Sequence, residues 1–169
     1  MILGMSTATY TFLHVLISLV AIGSGLIVMV GLIAGRRLDG LTALFLATTV
    51  LTSVTGFGFP FEHLMPSHKV GIISLVVLAV AILARYALHL AGSWRWIYVI
   101  CSMMALYLNV FVLVVQLFEK VPALKALAPT QKEPPFLISQ VVVLVLFVGL
   151  TILAGKKFHI GSSSEQLAA

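Results

Sequence analysis

The sequence predicts an all-α integral membrane protein built as a bundle of five transmembrane helices. Of its 169 residues, 61% are hydrophobic and only 9% are charged, and the mean hydropathy is +1.18. A soluble domain is about half apolar and about a quarter charged, so this chain could not cover its own surface in water. Its apolar runs approach the roughly 20 residues that a helix needs to cross the hydrocarbon core. They are apolar on nearly all faces, unlike the alternating strands of a membrane barrel, and lipid offers no partner for bare backbone amides.

The predicted spans belong to a single domain, residues 1–160, followed by a polar C-terminal tail, 161–169. The second run is the most polar and ends in Gly56-Phe57-Gly58-Phe59-Pro60. Hydroxyl side chains can bond to helix carbonyls, so a spanning helix tolerates them. A four-span protein, in which the second run does not fully cross, is the alternative. The five runs cover residues 12–34, 41–59, 70–90, 96–118 and 136–154.

The distribution of lysine and arginine predicts how the bundle is oriented. Basic residues favour the cytoplasmic side of a membrane. The side with more of them would therefore face the cytoplasm, which places the N-terminus outside and the C-terminus inside. The same placement at helix ends explains the net charge of +5 without a nucleic acid partner. Six basic residues flank one side (Arg36, Arg37, Arg85, Arg95, Lys156 and Lys157) and four the other (Lys69, Lys120, Lys125 and Lys132).

Polar residues that include three histidines gather toward the predicted outer side. His14 lies on a face of the first helix that otherwise carries small residues, and the loop after the second helix contributes Glu62, His63 and His68. Neutral imidazoles ligate haem iron, zinc or copper, and a nearby carboxylate can orient them. A haem would need axial ligands at matched depth, such as His14 with His63 or His68. The alternative is that these side chains are structural and wetted by the headgroup region.

A second polar feature runs along the fourth helix. Ser102, Asn109 and Gln116 are spaced by seven residues, which is two helical turns, so they share one stripe. Together with Ser18, they could line a path for a ligand or a proton. The alternative is structural, since such amides cross-link membrane helices by hydrogen bonds worth about 0.6–2 kcal/mol each.

A basic cluster lies toward the predicted inner side. Arg85 and His89 are four residues apart on the third predicted helix and would share a face, with Arg95 just beyond. Ionisable residues inside membranes are costly and frequently functional, which favours an anionic ligand. Arg85 is also close enough to the helix end to extend to lipid headgroups, which favours a lipid-anchoring role.

Motifs that carry enzyme chemistry are missing from the sequence. It has no glycine-rich phosphate loop, no HExxH metal-binding helix and no nucleophile elbow. The single cysteine, Cys101, cannot form an internal disulfide. The sequence therefore gives no catalytic residue and favours a non-enzymatic role.

Several segments resemble a family of small bacterial inner-membrane proteins that has no assigned activity. They are Ser53-Val54-Thr55-Gly56-Phe57-Gly58-Phe59-Pro60-Phe61, Pro66-Ser67-His68, Trp94-Arg95-Trp96-Ile97-Tyr98, Leu127-Ala128-Pro129-Thr130-Gln131 and Glu133-Pro134-Pro135-Phe136. The resemblance covers nearly the whole chain and implies a multi-pass protein of the bacterial cytoplasmic membrane. It implies no cofactor and no site residue. Bacterial four-helix b-type cytochromes are similar in size, but their paired helix histidines are not reproduced, because His14 and His89 lie near opposite membrane faces.

Three hypotheses for function follow. The leading one is a non-enzymatic accessory subunit or helper of a membrane complex, whose partners are the lipid bilayer and other membrane protein subunits. The second is a haem- or metal-binding membrane redox protein that uses the outer histidines. The third is a transporter of a small solute or a lipid. It ranks last because the chain lacks the internal repeat of most transporters.

Overall fold

The protein is a bundle of long helices. The computed structural model describes residues 4–59 and 66–167, and for residues 66, 67 and 159–167 it describes the backbone alone. The helices are α1 (Thr7–Ile33), α2 (Asp39–Gly56), α3 (Pro66–Ile82), α4 (Trp94–Lys120), the short α5 (Pro122–Leu127) and α6 (Pro134–Leu167). The predicted all-helical class is confirmed.

Four helices are long and apolar enough to cross a membrane: Thr7–Ile33, His68–Ala87, Trp94–Lys120 and Pro134–Phe158. A multi-pass membrane architecture is therefore confirmed. α2 does not meet the same criterion, and the fifth span and the orientation remain proposals. α1 begins five residues before the apolar run at Phe12, because Ser6 caps it: the Ser6 hydroxyl accepts a hydrogen bond from the Thr9 amide at 3.1 Å.

The helices alternate in direction. α1 and α2 form an antiparallel pair, since the Tyr10 hydroxyl near the start of α1 donates to the Thr55 carbonyl near the end of α2. α1 to α4 pack side by side as a ring, and α6 packs on its outside against α4 and α1. We call the end where α1 begins the upper end and the opposite end the lower end. Apolar side chains cover the outside of α6, including Ile138, Val142 and Val145, each at least 59% exposed, as expected for a surface that faces lipid.

α1, α2 and α4 approach closely at Gly25 near mid-bundle. A Cβ atom there would lie 2.6 Å from Cδ1 of Leu106 and 2.8 Å from a ring carbon of Phe45. Gly25, Leu106 and Phe45 are all buried. Only glycine allows this contact, which joins the three helices below the site described next.

The third helix ends earlier than the sequence predicted. It passes into one π-helical turn at Leu83–Ala87, where the Leu88 amide bonds to the Leu83 carbonyl at 3.0 Å. His89 and Leu90 then have positive φ angles of 48° and 58°, so the chain has left the helix. The prediction that Arg85 and His89 share a helical face was wrong for this reason.

Two features of the chain after α4 were not predicted. The link 119–135 contains the short helix α5, which begins at Pro122, where proline favours a helix start. α6 continues to Leu167 and so includes most of the residues predicted as a separate polar tail.

Candidate functional site

A cavity of about 840 Å³ lies in the upper half of the bundle between α1, α2, α3 and α4. Its α1 lining lies between residues 11 and 22, above Gly25, and its α4 lining lies between residues 108 and 120, above Leu106. The cavity therefore fills the space in which these helices separate above their contact at Gly25.

The wall of the cavity combines apolar side chains with a few neutral polar groups. No carboxylate and no arginine lines the part of it that the structure describes. Lys120 lies at the upper edge, where its Nζ is 3.9 Å from a carboxylate oxygen of Glu119. The apolar side chains are Val15, Leu19, Ile22, Phe57, Phe59, Val70, Leu108, Val112, Leu113 and Leu117, and the polar ones other than Lys120 are Thr11, His14, Ser18, Thr52, Ser53, His68, Ser74, Asn109 and Gln116.

The exposed apolar side chains that line the cavity lie on α1 and α4. Val15 and Leu19 on α1 line it and remain 47% and 50% exposed, and Leu117 on α4 lines it and is 41% exposed. No residue of α6 within Pro134–Phe158 contributes to the lining.

The position of the His14 proton follows from its partner on α2. The Thr55 hydroxyl donates its only proton to the Leu51 carbonyl at 2.7 Å. With that bond in place the hydroxyl accepts at the 2.8 Å contact with His14, which favours the tautomer protonated on Nδ1. In the neutral ring Nε2 is therefore an acceptor, and no residue in the described part of the chain hydrogen-bonds to it. The ring is further held edge-on against Phe59, with centroids 5.3 Å apart.

Asn109 is anchored in a similar way near the floor of the cavity. One hydrogen of its Nδ2 group bonds to the Thr49 hydroxyl at 3.3 Å, and that hydroxyl donates to the Phe45 carbonyl at 2.7 Å. The Oδ1 atom and the second N–H of Asn109 stay available. Thr52 adds a buried hydroxyl that has no hydrogen-bond partner among the described residues.

The structure brings two of the predicted outer histidines to one cavity. His68 is buried on α3 and packs its ring against Phe57 at 5.5 Å between centroids. Glu62 and His63 lie outside the described residues. Within the described ranges no group of three or more His, Cys, Asp or Glu side chains is close enough to hold a metal ion. The haem or metal site stays a prediction that rests on His14 and His68.

The predicted polar stripe on α4 is divided by the mid-bundle contact. Asn109 and Gln116 line the cavity, together with Ser18 on α1, whose hydroxyl donates to the His14 carbonyl at 2.7 Å. Ser102 lies two turns below Asn109, is buried, and has no hydrogen-bond partner for its hydroxyl among the described residues.

In the basic cluster at the lower end, Arg85 does not extend to lipid headgroups, as a lipid-anchoring role would require. Arg85 is only 5% exposed and forms an ion pair with Asp39 at the start of α2. Its guanidinium carbon also lies 5.2 Å from the centroid of the Tyr98 ring. Arg85 therefore ties the π-helical turn to α2 and α4 instead of extending to headgroups. His89 is exposed and Arg95 is half-buried at this end.

Sequence reasoning did not single out the hydroxyl groups of α2 as site residues. Thr49 and Thr55 position Asn109 and His14, and Thr52 and Ser53 line the cavity. The available signal was the polar character of the second apolar run, which we had interpreted only as evidence of a less secure span.

Comparison of the chain with protein-family models, with curated proteins and with solved structures finds no match. The case for function therefore rests on the cavity and its polar groups.

Proposed function

We propose that this protein spans the membrane five times and binds a small amphipathic molecule, taken from the surrounding bilayer, in the upper cavity. The observation that carries the proposal is the cavity itself: about 840 Å³, walled largely by apolar side chains, with exposed apolar residues of its wall on α1 and α4. We infer from these exposed residues that it opens toward the bilayer between the two helices. Ligand pockets in proteins are concave, mostly apolar and about 300–1,000 Å³, with a few placed polar groups.

The course of α2 supports the fifth span. Leu38, just before α2, lies beside Gly31 near the end of α1, and Thr55 bonds to Tyr10 near its beginning. α2 has 18 residues and thus follows α1 over about 27 Å at 1.5 Å per residue, close to the roughly 30 Å of the hydrocarbon core. The excess of basic residues at the lower end supports a cytoplasmic lower end.

Topology is testable with single cysteines in a Cys101→Ala background. We expect a membrane-impermeant maleimide to label Thr130→Cys in intact cells, and to label Gly40→Cys only after permeabilisation. Labelling of both positions in intact cells would contradict five spans, and the reverse pattern would contradict the orientation.

Binding is testable by mass spectrometry of small molecules that co-purify with the protein from its native membrane. We expect one amphipathic species near stoichiometric amounts, lost when Ser18→Trp fills the cavity. Gly23→Trp is the matched control, because Gly23 is on the same helix and nothing lies within 4 Å of its Cβ position. Equal retention by the two variants, or recovery of bulk lipid alone, would contradict the proposal.

A second candidate is the haem- or metal-binding redox protein. The observation in its favour is His14, whose Nδ1–H is fixed by Thr55 while Nε2 is unprotonated, the arrangement that metal-ligating histidines adopt. It predicts a Soret band or about one equivalent of metal in purified protein. Retention of that signal by His14→Ala would remove His14 from the ligand set.

The role of accessory subunit or helper stays a prediction that is compatible with ligand binding. The exposed apolar side chains of α6 would suit a neighbouring membrane subunit as well as lipid. Cross-linking in native membranes would test it, since capture of no defined partner across repeated experiments would argue against a complex.

A further inference from the structure

We infer that the head of the bound amphiphile is an uncharged hydroxyl group that donates a hydrogen bond to Nε2 of His14. The inference rests on the proposed function, because it specifies the ligand of the same cavity. Long-chain alcohols, prenols, acylglycerols and quinols share this chemistry.

The charge of the lining favours an uncharged head. No carboxylate or arginine lines the described part of the cavity, so a cationic head would have no counter-charge there. The one lysine, Lys120, lies at the upper edge with Glu119 3.9 Å away, so it offers little to an anion at the depth of Asn109. An unpaired charge is expensive to place in a low-dielectric site, whereas a neutral polar group requires only hydrogen bonds.

The hydrogen-bonding capacity of the site favours a group that donates as well as accepts. Nε2 of His14 is an acceptor in the tautomer that the Thr55–Leu51 hydrogen bond favours. Oδ1 of Asn109 is a second acceptor, while the other N–H of Asn109 is a donor. A hydroxyl meets both needs. An ether or a ketone carries no proton and would leave Nε2 of His14 without a partner.

The apolar part of the ligand has an exit. Val15, Leu19 and Leu117 form exposed apolar edges where the cavity opens between α1 and α4. A chain that leaves through this opening stays in contact with apolar side chains and then with lipid. The head would enter with its tail still in the bilayer.

The test uses four photoreactive amphiphiles with identical chains and different heads, added to proteoliposomes of the full-length protein. The heads are a hydroxyl, its methyl ether, a carboxylate and a trimethylammonium group. We expect the alcohol to label peptides of the cavity wall and to bind about tenfold more tightly than the ether, which matches about 1.4 kcal/mol for one lost hydrogen bond to a buried acceptor. His14→Phe should abolish the preference for alcohol over ether. His89→Asn, a change at an exposed histidine at the opposite end, should preserve it.

The possible failures are distinguishable. If no probe labels the cavity wall of the native protein or of Gly23→Trp above the level seen in Ser18→Trp, both the proposed function and this inference are wrong. If the ether binds as well as the alcohol, or the carboxylate or the ammonium binds better, the hydroxyl inference is overturned while binding stands. If His14→Phe does not fold, Thr55→Val is the alternative variant. It keeps the imidazole but removes the hydroxyl that favours a proton on Nδ1, so either ring nitrogen can be protonated. This variant should show a smaller preference for the alcohol. An unchanged preference in that variant would also overturn the inference.

Discussion

Replacing Gly25 with alanine should destabilise the bundle by driving apart the three helices that meet beneath the cavity. The new Cβ would lie 2.6 Å from Cδ1 of Leu106 and 2.8 and 2.9 Å from two ring carbons of Phe45. Both neighbours are only 1% exposed, so neither side chain can move into open space. Overpacking of this kind typically costs about 1–3 kcal/mol.

Gly23→Ala provides the matched control. Gly23 lies one half-turn away on α1, is exposed, and has nothing within 4 Å of its Cβ position. Alanine has a higher helix propensity than glycine, by up to about 1 kcal/mol, and this gain applies at either position. The gain in helix propensity therefore cancels when the two variants are compared. The difference between Gly25→Ala and Gly23→Ala therefore isolates the steric cost of about 1–3 kcal/mol.

Reversible unfolding of each variant in mixed micelles, titrated with a denaturing detergent and followed by circular dichroism, measures that difference. Fluorescence of Trp94 and Trp96 at the lower end gives an independent signal. If Gly25→Ala is as stable as Gly23→Ala, then α1, α2 and α4 do not meet as tightly as described. The placement of the cavity above that contact would then lose its basis.

Three further predictions concern the ion pair, the floor of the cavity and the α5–α6 link. Asp39→Asn leaves the buried guanidinium of Arg85 without its carboxylate and should lower the free energy of unfolding by about 1–3 kcal/mol. Arg85→Met removes the buried charge itself and should therefore cost less. Unfolding in a denaturing detergent compares the two variants. Asn109→Leu should cost less than about 1 kcal/mol of stability yet greatly reduce ligand retention in co-purification. Desolvation is the largest single effect on Glu133 and would raise its pKa, but the hydrogen bonds from the Thr130 hydroxyl and from backbone amides together outweigh it and lower the pKa. The ionised carboxylate therefore stabilises the link at pH values above the ordinary pKa of glutamate. That stabilisation is lost as the pH falls through the lowered pKa of Glu133. Proteolysis of the link should rise on acidification in the native protein but not in Glu133→Gln.

The helices could be predicted from composition and run length, because only a helix satisfies its own backbone within lipid. Their ends could not, since hydropathy does not mark where a helix stops near the membrane surface. The third apolar run continues to Leu90, yet the helix ends at Ala87 after a π-helical turn that holds Arg85 against Asp39 and Tyr98. That ion pair joins residues 46 positions apart, so no local signal in the sequence reveals it.

The gathering of polar groups could also be predicted in part. Helical rise fixes the depth of each residue, which placed His14 and Gln116 at similar heights, and both line the cavity. The sequence could not show that Thr55 accepts from His14, because the pairing depends on how α2 packs against α1. It also suggested that Arg85 would extend to headgroups, since distance to the helix end was the only measure available before its partner was known.

The polarity of α2 follows from its position in the bundle. Its hydroxyls satisfy themselves locally, as when Thr49 donates to the Phe45 carbonyl and Thr55 to the Leu51 carbonyl, both at 2.7 Å. Each remaining oxygen lone pair can then orient a group on another helix, as Thr49 does for Asn109 and Thr55 for His14. A helix that supports a polar site from within a bundle must carry such groups, and they lower its hydropathy. The hydroxyl groups of α2 therefore serve both their own helix and the polar groups of the cavity.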